Sequence, residues 1–270
     1  MRDPRAGSGR GGWVDEDKGD DIETEYIRPS VLYFCAMASP LPEVPLLLAL
    51  DTASPTVSVA LARGPELLAE RSMAMERSSV QLLGLVREVL AAAGARPADL
   101  GGVVALRGPG SFTGVRIGLA TVLGLHQALG MPATALDTLR VLAAAAPHPG
   151  HSVLAVVDAL RGDWSAQAFT AEPIPRPSSR ERLIAGHEIP SLAAGREAET
   201  IVTGFGVSRL AELPGWPLGL RLVEAGPLAA AAVRLAADPE LGWDPSLLIF
   251  PLYARPPAVT LPKTRRPDLR

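Results

Sequence analysis

The chain has 270 residues, enough for one large domain or two modest ones with a buried core, and nearly half of it is apolar. A net charge of -3 leaves no basic field able to hold a nucleic-acid backbone unaided. The single cysteine, Cys35, excludes an internal disulfide and any metal site built from cysteines, and fits a reducing compartment, so the expected location is the cytoplasm.

In chain order, residues 1–44 read unlike the rest: Gly-rich, then acidic from Asp15 to Glu25, then briefly apolar, then Ser39-Pro40-Leu41-Pro42. No helical or strand period is sustained there, which makes the stretch either an extension without order or a region upstream of a natural start at Met37. Its apolar run, 31–38, is too short to span a bilayer. Ala36-Met37-Ala38 has the look of a secretion cleavage site, but a long acidic segment stands where a signal peptide needs a short basic start.

Organised structure is expected from Pro45. Leu46 to Leu50 is a continuous apolar run ending at Asp51, as in a strand buried on both faces. Thr56 to Leu61 alternates as a second strand and Leu67 to Met73 as a third, with tight turns between them. Ser78 and Gln81 have capping-box spacing, and a helix with a broad apolar face follows, closed by Gly94. Val103 to Leu106 is a short buried strand leading into a glycine-rich turn; Val115 to Leu129 is a helix, apolar almost all round, ending at Gly130. After a short strand, a further helix runs from Thr138 to Ala146, with Asp137 placed to cap it. Three strands joined by tight turns form an antiparallel meander, and strands reached through helices run parallel, which is the ribonuclease-H-like order.

The second half starts again with strands at Val153 to Val157 and Trp164 to Phe169, joined through Arg161-Gly162-Asp163. A Pro-rich stretch, a strand at Ile201 to Thr203 and an Ala-rich helix from Pro227 to Ala237 complete it. It reads as a reduced, looser copy of the first half. The expected division is 1–44 extension, 45–147 first lobe, 148–244 reduced second lobe, and 245–270 a segment returning to the first lobe with a basic tail.

The most informative segment is Arg107-Gly108-Pro109-Gly110-Ser111-Phe112-Thr113-Gly114-Val115-Arg116-Ile117-Gly118. It takes a buried strand through a turn that only glycines make, then into a helix N-terminus. Two readings are open: close packing of a tight turn, or an anion cradle of free N–H groups. It is not a P-loop, because no Gly-Lys-Ser/Thr closes it. The stretch resembles the signature of the TsaB (YeaZ) family. The resemblance extends in order through Leu48-Ala49-Leu50-Asp51-Thr52, Ser58 to Leu61, Val157-Asp158-Ala159, Arg161-Gly162 and Pro251-Leu252-Tyr253-Ala254-Arg255. The family often has His where Ser79 stands and Arg where Leu160 stands.

The resemblance implies an α/β, actin-like (ASKHA) fold of two ribonuclease-H-like lobes. It also implies a non-catalytic subunit that pairs with the paralogue TsaD, which transfers a threonylcarbamoyl group to adenosine 37 of tRNA. The P-loop ATPase TsaE joins them, such subunits also form homodimers, and tRNA is engaged indirectly. ATP or ADP with Mg²⁺ belongs to the complex rather than firmly to this chain.

The candidate nucleotide or phosphate residues are Asp51, Thr52, Gly108, Gly110, Ser111 and Asp158. Each strand-end carboxylate has a plainer reading, a side chain fixing its turn. No Asp-Gly-x-Gly phosphate loop follows Asp158. TsaD carries a helical His-x-x-x-His metal pair, and in register those positions are Thr138 and Leu142. His126 reads as a core histidine, His148 and His151 flank Pro149-Gly150 in a loop, and His187 has no obvious partner. The helix face of Leu82, Leu85, Val86 and Val89 asks for two covers, and the second is expected to be another chain, itself or the paralogue. Two other classes stay open: an ATP-dependent transferase of the actin-like superfamily, and a peptidase.

Overall fold

Six consecutive buried residues, Leu46–Asp51, form β1 at the centre of the first sheet. The computed structural model describes residues 44–74, 78–147, 150–194, 200–217 and 219–255, with the backbone alone for 78–80. The expected N-terminal extension, the Ser78 side chain of the capping box, His148 and the basic tail lie outside the described residues.

β2 (Thr56–Arg63) pairs antiparallel with β1 and with β3 (Glu66–Ala74). Helix α1 (Ser78–Ala92) leads to β4 (Gly102–Leu106), which runs parallel to β1; helix α2 (Phe112–Leu129) leads to β5 (Ala133–Leu136), parallel to β4. The order β3-β2-β1-β4-β5 is the expected mixed sheet. Gly94, at φ 63, occupies the left-handed position just after α1 that a helix terminator needs.

Helix α3 (Thr138–Ala145) then opens the second lobe. There β6 (Ser152–Asp158), β7 (Asp163–Phe169), β8 (Arg182–Ala185), β9 (Thr200–Gly204) and β10 (Arg221–Glu224) order as β8-β7-β6-β9-β10. The pairings repeat those of the first sheet, two antiparallel and two parallel. The second sheet is therefore not reduced, contrary to expectation. The reduction falls on the helices: α4 (Ile189–Ala194) has six residues, and Val207–Glu212 is a 3₁₀ turn.

Helix α5 (Ala229–Ala236) shows where the lobes join. It follows the second sheet in sequence but packs on β1 and β2, while α3 follows the first sheet and packs on β6 and β7. Each lobe thus lends one helix to the other, and the two helices touch. The chain returns to the first lobe at α5, earlier than the expected boundary at 245. Alternation in β6 marks the consequence. Val153 and Ala155 join the large central core with α5, whereas Leu154 and Val156 face a smaller outer core with Ile189 and Leu210. This arrangement is the actin-like (ASKHA) fold, two ribonuclease-H-like lobes on crossing helices.

Two local expectations are corrected. Asp137 precedes α3 but makes no side-chain cap; its Oδ1 accepts from Arg107 Nε at 2.6 Å instead. Leu82, Leu85, Val86 and Val89 are at most 6% exposed and belong to the chain's own core. The sheet, with α2 alongside, covers this face of α1, and among its described side chains the large apolar one left exposed is Leu83.

Candidate functional site

The lobes enclose a cleft of about 950 Å³. Its walls are the turn after β1, the glycine loop with the start of α2, the β6–β7 turn, the segment after β9, and residues 253–255. Apolar groups dominate the wall, among them Pro55, Phe112, Val157, Leu160, Phe205 and Tyr253.

The structure divides the six sequence-nominated residues. Gly110, Ser111 and Asp158 line the cleft; Asp51, Thr52 and Gly108 stand behind its wall. Asp51 is fully buried, and its Oδ1 accepts the N–H groups of Ala53 at 2.9 Å and Ser54 at 3.2 Å. Burial pushes this carboxyl up to about 6, partly offset by the Ser54 hydroxyl and those two N–H groups. Neither Asp51 Oδ2 nor Ser54 Oγ has a well-aligned hydrogen-bond partner among the described residues. Thr52 Oγ1 donates to the Gly114 carbonyl at 2.6 Å, tying β1 to the first turn of α2.

Gly108 and Gly110 are explained by contact. Gly108, at φ 101, follows β4 into a cis peptide with Pro109, and a Cβ there would lie 2.1 Å from the Leu252 carbonyl oxygen. A Cβ on Gly110 would lie 2.4 Å from the Ala53 carbonyl oxygen. Leu252 N–H donates to the Arg107 carbonyl at 2.7 Å, so the C-terminal motif clasps the loop. Ser111 Oγ caps α2 by accepting from Gly114 N–H at 3.1 Å, which starts the helix at Phe112 rather than Val115.

Across the cleft Asp158 repeats the Asp51 turn, its Oδ1 accepting Leu160 N–H at 2.7 Å, while Oδ2 accepts from Arg209 at 2.9 Å. Leu160 and Arg161 both have positive φ, 65 and 59. Arg255 pairs with Asp163. The Arg116 guanidinium lies 3.7 Å over the Phe112 ring and donates to Tyr253 Oη at 2.8 Å.

Several backbone donors around the cleft are engaged within the protein. Ala53 and Ser54 donate to Asp51, Ser111 to the Ala53 carbonyl, Thr138 to the Gly108 carbonyl, and Ala159 to the Asp163 carbonyl. Pro109 has no N–H to give. Of the two positions in register with a helical histidine pair, Thr138 lines the cleft and Leu142 is fully buried core. His126 Nδ1 meets the Met131 carbonyl at 2.6 Å, in keeping with a packed histidine. Among the described residues no group of three or more His, Cys, Asp or Glu is placed to hold a metal ion. Sequence reasoning missed Phe205 and Arg209, which reach the cleft only through the fold of the second lobe and carry no local signal.

The family profile "TsaD: tRNA N6-adenosine threonylcarbamoyltransferase" matches residues 72–170. The chain is similar to the tRNA threonylcarbamoyladenosine biosynthesis protein TsaB of Bacillus subtilis, 35% identical over 117 residues, 43% of this chain and 51% of the relative. It is likewise similar to TsaB of Escherichia coli, 34% identical over 119 residues, 43% of this chain and 52% of the relative. The chain thus spans about half the length of the curated relatives it matches. Among solved structures it is similar to an uncharacterized protein with similarity to peptidase YEAZ from Pseudomonas aeruginosa. That pair has TM-score 0.67 and 29% identity, over 78% of this chain and all of the other. YeaZ from Pseudomonas aeruginosa matches at TM-score 0.62 and 27% identity, over 71% of this chain and 90% of the other. No helix among the described residues is long and apolar enough to cross a membrane.

Proposed function

We propose that this chain, which belongs with the TsaB (YeaZ) proteins in sequence and fold, is a non-catalytic subunit in the formation of N6-threonylcarbamoyladenosine on tRNA. It acts by pairing with a TsaD-like catalytic paralogue, in the cytoplasm, with the ATPase TsaE as the third component and a homodimer as its form alone.

The absence of an imidazole at Thr138 and Leu142 carries this reading, and the partly engaged backbone of the cleft supports it. A phosphate cradle needs N–H groups free to turn toward the anion. Here Ala53, Ser54, Ser111 and Thr138 donate theirs within the protein and Pro109 has none, which thins any such cradle. Threonylcarbamoyl transfer also calls for a Lewis acid to polarise the carbonyl, and Thr138 and Leu142 offer no imidazole where the paralogue has its pair. The glycine motif then serves packing, and the fold serves as a rigid body for a partner to hold.

Reconstitution tests it. The purified chain, given threonylcarbamoyl-AMP, a divalent metal and tRNA, is expected to leave adenosine 37 unmodified, with product appearing once the paralogue is added. Modified adenosine formed by the chain alone, free of paralogue, would refute the non-catalytic role.

A further inference from the structure

After packing beside α2 and β5 through the 3₁₀ turn Pro245–Ile249, the chain crosses from the first lobe to the second. Residues 253–255 form part of the cleft wall on the way. The first-lobe end is anchored at several points. Leu252 N–H donates to the Arg107 carbonyl at 2.7 Å, and the Leu252 carbonyl oxygen lies where a Cβ on Gly108 would meet it at 2.1 Å. One residue on, the Tyr253 ring stands 4.8 Å from the Phe112 ring, and its hydroxyl accepts from Arg116 Nε at 2.8 Å. The same guanidinium lies 3.7 Å over Phe112 and 5.5 Å from the centre of Tyr253. Main-chain, ring and cation–π contacts hold this end together.

The second-lobe end is made by the Arg255 side chain. Its Nη2 donates to Asp163 Oδ2, at the start of β7, and lies 3.4 Å from the Leu160 carbonyl oxygen in the β6–β7 turn. That carbonyl also accepts Asp163 N–H at 3.2 Å, so both acceptors belong to the frame of the second sheet. The Arg255 and Asp163 side chains are 32% and 34% exposed. Water and salt therefore reach the pair, and a pair of this kind is weak and easily screened.

We infer that residues 252–255 are a strap that holds the lobes at their present separation, with Tyr253 as its fixed end and the Arg255–Asp163 pair as its releasable one. Two rigid lobes that share crossing helices change their opening by hinge or shear motion between states close in energy, so a weak tie across the cleft selects among them. The unequal ends give the direction. When the pair breaks, the strap stays with the glycine loop and the first lobe, and the β6–β7 turn moves away from it. The cleft then widens on the side lined by Leu160 and Arg161.

Spin labels on Thr113→Cys in α2 and Arg182→Cys in β8 read the separation in the full chain carrying Cys35→Ser. Both positions are exposed and adjoin residues that line the cleft, Phe112 and Leu183. Arg255→Ala is expected to lengthen the distance measured by double electron–electron resonance by about 2 Å or more and to broaden its distribution. Asp163→Asn is expected to give the same shift, and Arg255→Glu combined with Asp163→Arg to bring the distance back toward the wild-type value. Salt raised from about 0.05 M to about 1 M is expected to shift the wild type in the same direction and leave Arg255→Ala unmoved. Circular dichroism and thermal midpoints establish that each variant is folded; should Arg255→Ala fail, Asp163→Asn removes the same pair and decides. An unchanged distance in the folded single variants would overturn the inference, as would a shift that the exchanged pair does not reverse. Neither tRNA nor a second protein enters the measurement, so its outcome is separate from that of the reconstitution.

Discussion

At the scale of single residues, Asp51 and Gly110 make opposite demands on stability. The folded-state pKa of Asp51, about 6, lies above the ordinary 3.8, so the ionised carboxylate opposes folding above about pH 6, and that opposition vanishes below 3.8. Asp51→Asn retains the acceptor for Ala53 and Ser54 and is expected to raise stability by about 2 kcal/mol at pH 8, with no gain left below pH 4. Urea unfolding at the two pH values checks this; a loss of stability at pH 8 would mean that the charge is needed. Gly110→Ala drives a methyl group into the Ala53 carbonyl and is expected to cost about 2 kcal/mol in the same assay. A neutral result there would return Gly110 from packing to ligand binding.

At the scale of elements, helix ends and helix faces decide the outcome. The first turn of α5 is capped from the other lobe: buried Ser58 on β2 accepts Ala229 N–H at 3.1 Å. Glu70 on β3 accepts from Ala230, and its burial holds that carboxyl above its usual range. Ser58→Ala is expected to destabilise the whole chain by about 1–2 kcal/mol, although it touches no surface. Helix α1 reads differently once its neighbours are known. Leu85 is 6% exposed and Leu83 58%. Leu85→Glu is expected to unfold the protein by burying a charge, while Leu83→Glu folds normally, as judged by circular dichroism and gel filtration. A folded, soluble Leu85→Glu chain would restore the idea that this face waits for another subunit.

At the scale of the whole molecule, the exchange of α3 and α5 makes the lobes one thermodynamic unit. The central core holds residues of both sheets, Leu50 and Val104 from one, Val153 and Phe169 from the other. Neither lobe keeps its cover if the other melts. Unfolding is expected to be a single transition, with tryptophan fluorescence coinciding with far-ultraviolet circular dichroism. The fluorescence reports both lobes, since Trp164 sits in the outer core and Trp243 packs toward Gly102 in the first sheet. Two separated transitions would show independent lobes.

The first sheet, its helices, the glycine loop and the likeness to one family were all legible in the residues alone. Those features are written in runs of local periodicity: six buried residues in β1, alternation in β2, and glycines where no Cβ fits. Tertiary structure alone decided the rest. β8 and β10 are short, largely exposed edge strands whose charged residues mask any period. Asp137 stands where a cap belongs, but a nearby guanidinium outbids the helix N–H groups. The apolar face of α1 was legible, its cover was not, because periodicity records that a face is buried and never against what. The cleft residues Thr138, Arg161 and Arg209 come from three separate segments, and only the fold brings them to one cleft.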